Sequence, residues 1–373
     1  MDDRPLVVGI DGRELQGQPT GTGRYLRNLL RRWRETGDRL LVYFNGSPPE
    51  DPVLDHTAVE RRPVGDGRAR GLVWLERRLP PVARADHPDV FFSPAYVCPL
   101  SLRTPRVTMV HDLSFFFQPQ DFSYQDGLRR RLLVSLSIHA SRAVLTNSDF
   151  TRREIVRRFP SAADRVTLAP LGPDDDLPVP PPREEARRRL GLSGPYVITV
   201  GSVLNRRCLP ELLRAMARLA RRHSGLLLDV VGDNRTHPLL DLPALVASLG
   251  LTDRVRLSGF VDEAGLADRY AAADAAVFLS EYEGFGLPAL EAASRGVPLV
   301  VARPPSLGEI FGGAALTVAP RNESAVASAL DRVLSETDLR ERLIAAGHDL
   351  AGRYSWDRTA ALTRRACLEA ARP

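Results

Sequence analysis

The chain contains no lysine; all 51 of its basic residues are arginine. Chemistry that depends on a lysine amine, such as a Schiff base to pyridoxal phosphate, is therefore excluded. Any site that needs a cation must use a guanidinium, a planar fork suited to carboxylate and phosphate. Cysteine is nearly as scarce. Cys98, Cys208 and Cys367 stand far apart, which fits neither a disulfide framework nor the close pairs of a zinc site, so they read as inert. No apolar run approaches the roughly 20 residues that span a bilayer, and the N-terminal "MDDRPLVVGIDG" carries acids in place of a signal-type hydrophobic region. The expectation is a cytoplasmic protein. The net charge of +5 suits an anionic partner. Because the arginines are spread out, without a zinc-finger or ribonucleoprotein signature, nucleic acid is not expected to be that partner.

What is present is length and alternation. At 373 residues the chain exceeds the roughly 250 to 300 at which a single core stops growing, so two domains are expected. Short apolar runs recur at 6–10, 40–44, 89–92, 106–110, 143–147 and 166–171. After the proline-rich, acidic "GPDDDLPVPPP" (172–182) they resume at 196–200, 226–232, 255–260, 275–279 and 298–302, with helical patterns between them. Continuous apolar strands separated by helices indicate parallel sheets covered on both faces. The linker composition disfavours helix and central strand. The fold class read from this is α/β, two Rossmann-like doubly wound parallel-sheet domains facing a central cleft.

Ligands of open parallel sheets sit beyond the carboxyl ends of the strands. Four stretches occupy such positions. "GQPTGTGRYLRNLL" (17–30) is a glycine-rich turn entering a helix at about Gly23, able to turn backbone N–H groups toward an anion, though Gly-x-Gly also serves plain tight turns. "VTMVHDLSFFF" sets His111 at a strand end, where a structural or a chemical role is open. "VGSVLNRRCLPELL" leaves Arg206 and Arg207 at a helix N-terminus, a poor electrostatic place for cations unless an anion binds there. "EYEGFGLPALE" (281–291) puts Glu283 in a loop and Glu291 inside a helix starting near Leu287, with Pro288 in its first turn. Gly284 and Gly286 allow close backbone approach, and both carboxylates can accept hydrogen bonds from hydroxyls. A capping Glu283 and a surface Glu291 are the plain alternative.

These motifs occur in a set order. "GIDGREL…GTGRYLRNLL", "VHDLSFFFQPQDFS", "RAVLTNSDFTRREI", "LAPLG", "VGSVLNRRCLPELL", "EYEGFGLPALEAASRGVPLVVA", "SLGEIFGGAALTVAP" and "YSWDRTAAL" together resemble retaining glycosyltransferases of the GT-B fold, glycosyltransferase family 4 (group 1 type). The similarity runs over nearly the whole chain, with two departures. Cys208 stands where relatives carry asparagine after an Arg-Lys pair, and Ser294 where methionine is common.

The resemblance implies a hexosyltransferase that uses a nucleoside-diphosphate sugar (GDP-mannose or a UDP- or dTDP-sugar). The acceptor would be a hydroxyl of a glycan, glycolipid or small molecule, the anomeric configuration would be retained, and no metal or other cofactor would be required. It also implies an acceptor-binding Rossmann-like domain over residues 1–172, a donor-binding one over 173–353, and a terminal helix, 354–373, crossing back to the first. Glu283 would contact donor-sugar hydroxyls and Glu291 the ribose. Arg206 and Arg207 would hold the diphosphate, and the amides of Phe285, Gly286 and Leu287, beside Gly284, would lie near sugar and phosphates. Gly21 and Gly23 would close on the diphosphate. His111 would line the donor sugar, oriented by Asp112. A non-catalytic sugar-nucleotide-binding subunit and a sugar-nucleotide epimerase on the same fold are the alternatives.

One helix remains. "GLRRRLLVSLSIHASRA" (127–143) has apolar residues at 128, 132, 133 and 136 beside three arginines, a pattern shared by basic interfacial helices and helices packed on a sheet. Packing on the sheet is the expectation. Peripheral contact with the inner face of the cell membrane is the alternative, in keeping with a lipid-linked acceptor.

Overall fold

The computed structural model describes residues 4–17, 20–174, 178–303 and 305–372, with 305 and 306 as backbone only. Residues 18 and 19 of the glycine-rich turn and 175–177 of the proline-rich stretch lie outside the described residues. The chain divides into two compact units. The first holds residues up to Leu113, Gln125–Gly172 and the chain from Ser355 on, and the second holds Ser114–Tyr124 and Pro173–Tyr354.

The first unit is built on seven parallel strands: β1 Val7–Asp11, β2 Arg39–Asn45, β3 Val59–Val64, β4 Val90–Ser93, β5 Arg106–Val110, β6 Ala143–Thr146 and β7 Val166–Leu168, in the order β3-β2-β1-β4-β5-β6-β7. Its central strands bury both faces, with Val8, Ile10, Leu41, Phe92 and Val107 all inaccessible, which is why they read as unbroken apolar runs. The second unit has six parallel strands: β8 Tyr196–Val200, β9 Leu227–Val231, β10 Val255–Gly259, β11 Ala275–Phe278, β12 Leu299–Ala302 and β13 Ala315–Val318, in the order β10-β9-β8-β11-β12-β13.

Two strands carry no apolar run that sequence reading picks out. In β3, "VERRPV", alternate residues are exposed and Pro63 lacks an N–H, both tolerated because it is an edge strand. The four-residue β13 is likewise an edge strand, at the outer side of the second sheet.

The terminal helix Trp356–Ala370 belongs to the first unit. Ser355 caps it by accepting from the Arg358 N–H, Trp356 is fully buried, and a Cβ on Gly172 would lie 2.5 Å from the Trp356 nitrogen, so only glycine fits there. Arg364 clamps the helix through Asp38 (2.8 and 3.1 Å), which also accepts from the Leu6 N–H (2.9 Å) and the Trp33 indole (2.8 Å). Burial pushes the Asp38 carboxyl up, but these bonds outweigh it and hold it below the usual range.

One reading of the sequence needs correction, and one helix buries a different face from its leucines. Ser114–Tyr124, assigned with residues 1–172, belongs to the second unit: the Phe117 ring stacks on Tyr282 (5.8 Å, 19°) and Asp121 faces Arg206 (3.7 Å). The helix containing 127–140, which spans Tyr124–Ala140, does pack on its unit. The face it buries carries Gly127, Val134, Ser137 and Ile138, while Leu128, Leu132 and Leu136 remain exposed.

Candidate functional site

A doubly wound sheet opens a crevice where the direction of winding reverses. In the second unit that point lies between β8 and β11, with β9 on the other side of β8. The chain leaves β8 through Gly201-Ser202 and β11 through Leu279–Glu283, and these two exits, with Arg207, line one cavity. Gly201 has φ +115°, and a Cβ there would lie 2.2 Å from an Arg207 Nη1, so the guanidinium lies directly over the glycine. Gly232 supports this from below: its own Cβ would strike the Gly201 carbonyl at 2.4 Å.

Arg207 and Glu283 form the polar centre of this cavity. The Arg207 Nε donates to Glu283 Oε1 (2.9 Å), its Nη2 lies 2.8 Å from the same carboxylate, and its Nη1 donates to the Ser202 carbonyl (3.0 Å). Both side chains keep some access to solvent, 25% for Arg207 and 15% for Glu283. The cavity is about 30 Å³ with the ion pair closed, room for about one water. A larger anion must therefore take over part of Arg207's bonding.

Arg206 behaves differently from its neighbour. It is 9% exposed, donates from Nε to the Tyr282 carbonyl (3.2 Å), and its carbonyl accepts from the Glu281 N–H (2.7 Å). Asp121, its side chain 3% exposed, supplies the countercharge. Burial raises the Asp121 carboxyl above its usual range, against the pull of Arg206. Arg206 thus ties the loop bearing Arg207 to the loop bearing Glu283. Cys208 follows in a left-handed conformation (φ 50°) at the start of the helix Leu209–Leu219, buried, with its thiol pushed up to about 12 by burial and then by Glu281 and Glu211. That environment makes it packing material and removes thiolate character.

The "EGFGLPALE" segment divides as well. Gly286 (φ +87°) caps the helix Leu287–Ser294, whose first turn contains Pro288. Gly284 is buried, and Phe285 is buried edge-on against Tyr354 (5.5 Å, 84°). Glu291 is fully enclosed rather than at the surface, with the Tyr270 hydroxyl 3.5 Å from Oε2, and it does not line the cavity of Arg207 and Glu283.

In the first unit the reversal lies between β1 and β4. His111, just after β5, has its Nε2 2.8 Å from the Pro94 carbonyl, with the rings of Tyr25 and Tyr96 set edge-on at 5.0 and 5.6 Å. The ring is thus oriented by Pro94, while Asp112 acts on it through charge. Burial lowers its pKa, opposed by the Pro94 bond and by Asp112. A neutral ring donating Nε2–H to Pro94 leaves Nδ1 as an acceptor. The helix Gly21–Trp33 begins at Gly21, two residues before the expected start. Its cap Thr20 accepts the Gly23 N–H (3.0 Å), and a Cβ on Gly23 would meet the Glu14 carbonyl at 2.4 Å. Gly23 is needed for close packing, and its N–H is already bonded.

Comparison with known proteins agrees with this architecture. Residues 19–177 match the model of Glycosyltransferase Family 4 and residues 182–349 that of Glycosyl transferases group 1, so the two together account for most of the chain. The chain belongs to the group 1, family 4 glycosyltransferases. The O-antigen chain mannosyltransferase B of Escherichia coli is 29% identical over 91% of this chain and 93% of its own length. Among solved structures, sucrose-phosphate synthase from Thermosynechococcus elongatus superposes with a TM-score of 0.78 at 22% identity, covering 97% of this chain and 98% of that one. HepE of Anabaena, solved with UDP-glucose, gives 0.76 at 18%, covering 98% and 99%. The fold of this glycosyltransferase is accordingly GT-B, with two Rossmann-like units.

Of the residues singled out in the sequence, the glycosyltransferase brings Arg207 and Glu283 into one cavity and sets Arg206 behind them. Gly201, Ser202 and Asp121 were not singled out. The first two follow a strand directly, a positional signal that was available. Asp121 is 85 residues from Arg206 in the chain, and nothing local connects them.

Proposed function

We propose that this enzyme transfers a hexose-type sugar from a nucleoside-diphosphate sugar to a hydroxyl of a glycan, lipid-linked or small-molecule acceptor, with retention and without a metal. The observation that carries the proposal is the Arg207–Glu283 pair at the switch point of the second sheet. Arg207 is the group that would accompany the departing diphosphate: a guanidinium with partial solvent access, held by Ser202, supplies the positive charge a leaving nucleoside diphosphate needs. Glu283, released from Arg207 as phosphate oxygens replace it, would accept hydrogen bonds from sugar hydroxyls. The amides of Phe285, Gly286 and Leu287 open a helix and suit an adjacent anionic group. Glu291 keeps its assignment to the ribose, which requires its carboxylate to be reached past the first turn of that helix.

His111 is proposed to contact the reacting sugar as a neutral acceptor through Nδ1. Retention is proposed to proceed by front-face attack, the acceptor hydroxyl's proton passing to the leaving phosphate oxygen as the C–O bond to the acceptor forms and the bond to phosphate breaks. The mannosyltransferase relative favours GDP-mannose among the donors, and the UDP-glucose complex of HepE a UDP-sugar. Incubation with GDP-mannose, UDP-glucose, UDP-galactose and dTDP-glucose, with and without EDTA, tests the reading. The expected result is slow release of nucleoside diphosphate and free sugar from one donor, unaffected by EDTA, with the sugar's anomeric configuration retained by NMR. Binding of a donor with no turnover in the presence of any acceptor would favour a non-catalytic subunit.

A further inference from the structure

The loop that follows β11 carries three consecutive large side chains, and each is held by a different neighbour within the second unit. Glu283 pairs with Arg207. Tyr282 is buried and stacks on Phe117, while its carbonyl accepts from the Ser280 hydroxyl (3.0 Å) and from Arg206 (3.2 Å). Glu281 donates its N–H to the Arg206 carbonyl (2.7 Å), and its two carboxylate oxygens accept from Arg321 Nε and Nη2 at 2.7 Å each. This last pair stands apart from the site itself. Neither Glu281 nor Arg321 lines the cavity of Arg207 and Glu283.

Arg321 is mounted as a support. It lies in the turn between β13 and the helix Glu323–Ser335. The Asn322 N–H closes that turn on the Ala319 carbonyl (3.0 Å), and the Asn322 side chain caps the helix by accepting the Ala325 N–H (3.0 Å). Arg321 Nη1 reaches Glu211 (3.4 Å), a carboxylate in the first turn of the helix Leu209–Leu219 that also lies 3.8 Å from Arg214. One guanidinium thus spans the exit of β11, the turn after β13 and the helix that follows Arg207. Its two parallel bonds to Glu281 fix the angle of that carboxylate as well as its distance. With side chains 64% and 25% exposed, the pair adds little to the stability of the fold, so its geometric precision has another use.

We infer that Glu281 and Arg321 are positioning residues, which hold Glu283 in place once Arg207 turns from it to phosphate. This role rests on the proposed function of Arg207 and Glu283. While the ion pair is closed, Arg207 itself fixes the Glu283 carboxylate at 2.8 and 2.9 Å, and the outer clamp is redundant. When phosphate oxygens take over the guanidinium, Glu283 loses that partner. The loop is then held by the Tyr282 stack, the Arg206 bonds and the Glu281–Arg321 pair. A carboxylate that must meet sugar hydroxyls to within about 0.5 Å needs such outside support, because a small displacement loses hydrogen bonds without unfolding anything.

Hydrogen exchange of the 279–285 amides in the native enzyme, Arg321→Ala, Arg207→Ala and the double variant tests the clamp without any donor. Arg321→Ala alone should speed exchange by less than about twofold. Added to Arg207→Ala it should speed exchange by about fivefold more, the factor that an ion pair of this exposure supplies. Calorimetric titration of Arg321→Ala and Glu281→Gln with GDP-mannose, UDP-glucose, GDP and UDP carries the effect to the ligand. Affinity for the sugar nucleotide that the native enzyme binds should fall about three- to tenfold, and affinity for its nucleoside diphosphate less than about twofold. The melting temperature should stay within about 3 °C of the native value. Arg321→Lys, which keeps the charge without the fork, should fall between the native enzyme and Arg321→Ala. Equal exchange in Arg207→Ala and the double variant would overturn the role. So would equal weakening of sugar nucleotide and diphosphate, which would put Arg321 to work on the phosphate. If no sugar nucleotide binds the native enzyme, the donor reading fails by itself, and the exchange comparison still decides the clamp.

Discussion

Arg206 and Arg207 are adjacent and identical, yet their surroundings predict opposite consequences of removal. Arg206→Ala leaves Asp121 buried without its counter-ion and takes one donor from the Tyr282 carbonyl, which keeps the Ser280 hydroxyl (3.0 Å). Two unit charges 3.7 Å apart at an effective dielectric of ~20 attract by about 4 kcal/mol. Stranding one member of such a buried pair costs about 3–5 kcal/mol. At about 2–4 °C per kcal/mol, the melting temperature should fall by roughly 10 °C. Arg207→Ala removes a partly exposed side chain whose partner Glu283 also reaches solvent, so stability should change little.

The order reverses for ligand binding. Two charge-assisted bonds to phosphate at about 1.5 kcal/mol or more each correspond to a loss of about a hundredfold in nucleoside-diphosphate affinity in Arg207→Ala, with less than about twofold for the free nucleoside. Calorimetric titration with GDP, UDP, guanosine and uridine, beside differential scanning calorimetry, measures both effects. Restoring charge balance with Arg206→Met and Asp121→Leu together should recover much of the lost melting temperature. Selective loss of diphosphate affinity in Arg206→Ala at an unchanged melting temperature would refute the reasoning, as would equal weakening of diphosphate and nucleoside in Arg207→Ala.

Other consequences can be measured separately. Glu291→Ala should raise the Michaelis constant for donor by about ten- to a hundredfold, and a 2′-deoxyribose donor should show the same loss in the native enzyme but little further loss in the variant. His111→Ala should lower turnover by about a hundredfold with donor affinity nearly unchanged. Because burial lowers the His111 pKa from about 6.5, the native rate should fall on the acid side only below that value, and steady-state rates against pH would reveal a fall at or above pH 7 if the ring were not neutral. Asp38 has a depressed pKa, so its contribution is present above the unfolded value of about 3.9 and is lost as pH falls through the lower folded value; acid denaturation of Asp38→Asn should show a smaller loss over that window than the native protein. Cys208, buried and with its thiol raised to about 12, should alkylate slowly and equally with and without nucleoside diphosphate, and rapid labelling blocked by nucleotide would contradict the packing role.

The sequence by itself determined the class of architecture, because strands buried on both faces must be apolar throughout and helices between them must be amphipathic. That is why 106–110 and 196–200 are read from composition to the residue, while half-polar β3 is not. It also determined which chemistry was possible: without lysine, a diphosphate must be met by arginine, and the residues following the strands are the ones that reach a ligand. Tertiary structure alone decided which of two adjacent arginines meets solvent. Asp121 reaches Arg206 through a segment that departs from its sequence neighbours to join the second unit, and a pairing across 85 positions leaves no periodic trace. The same holds for the leucines at 128, 132 and 136. Their spacing is that of any helix packed on a sheet, and only the side on which the sheet lies, covering Val134 and Ile138, determines that this ridge faces water.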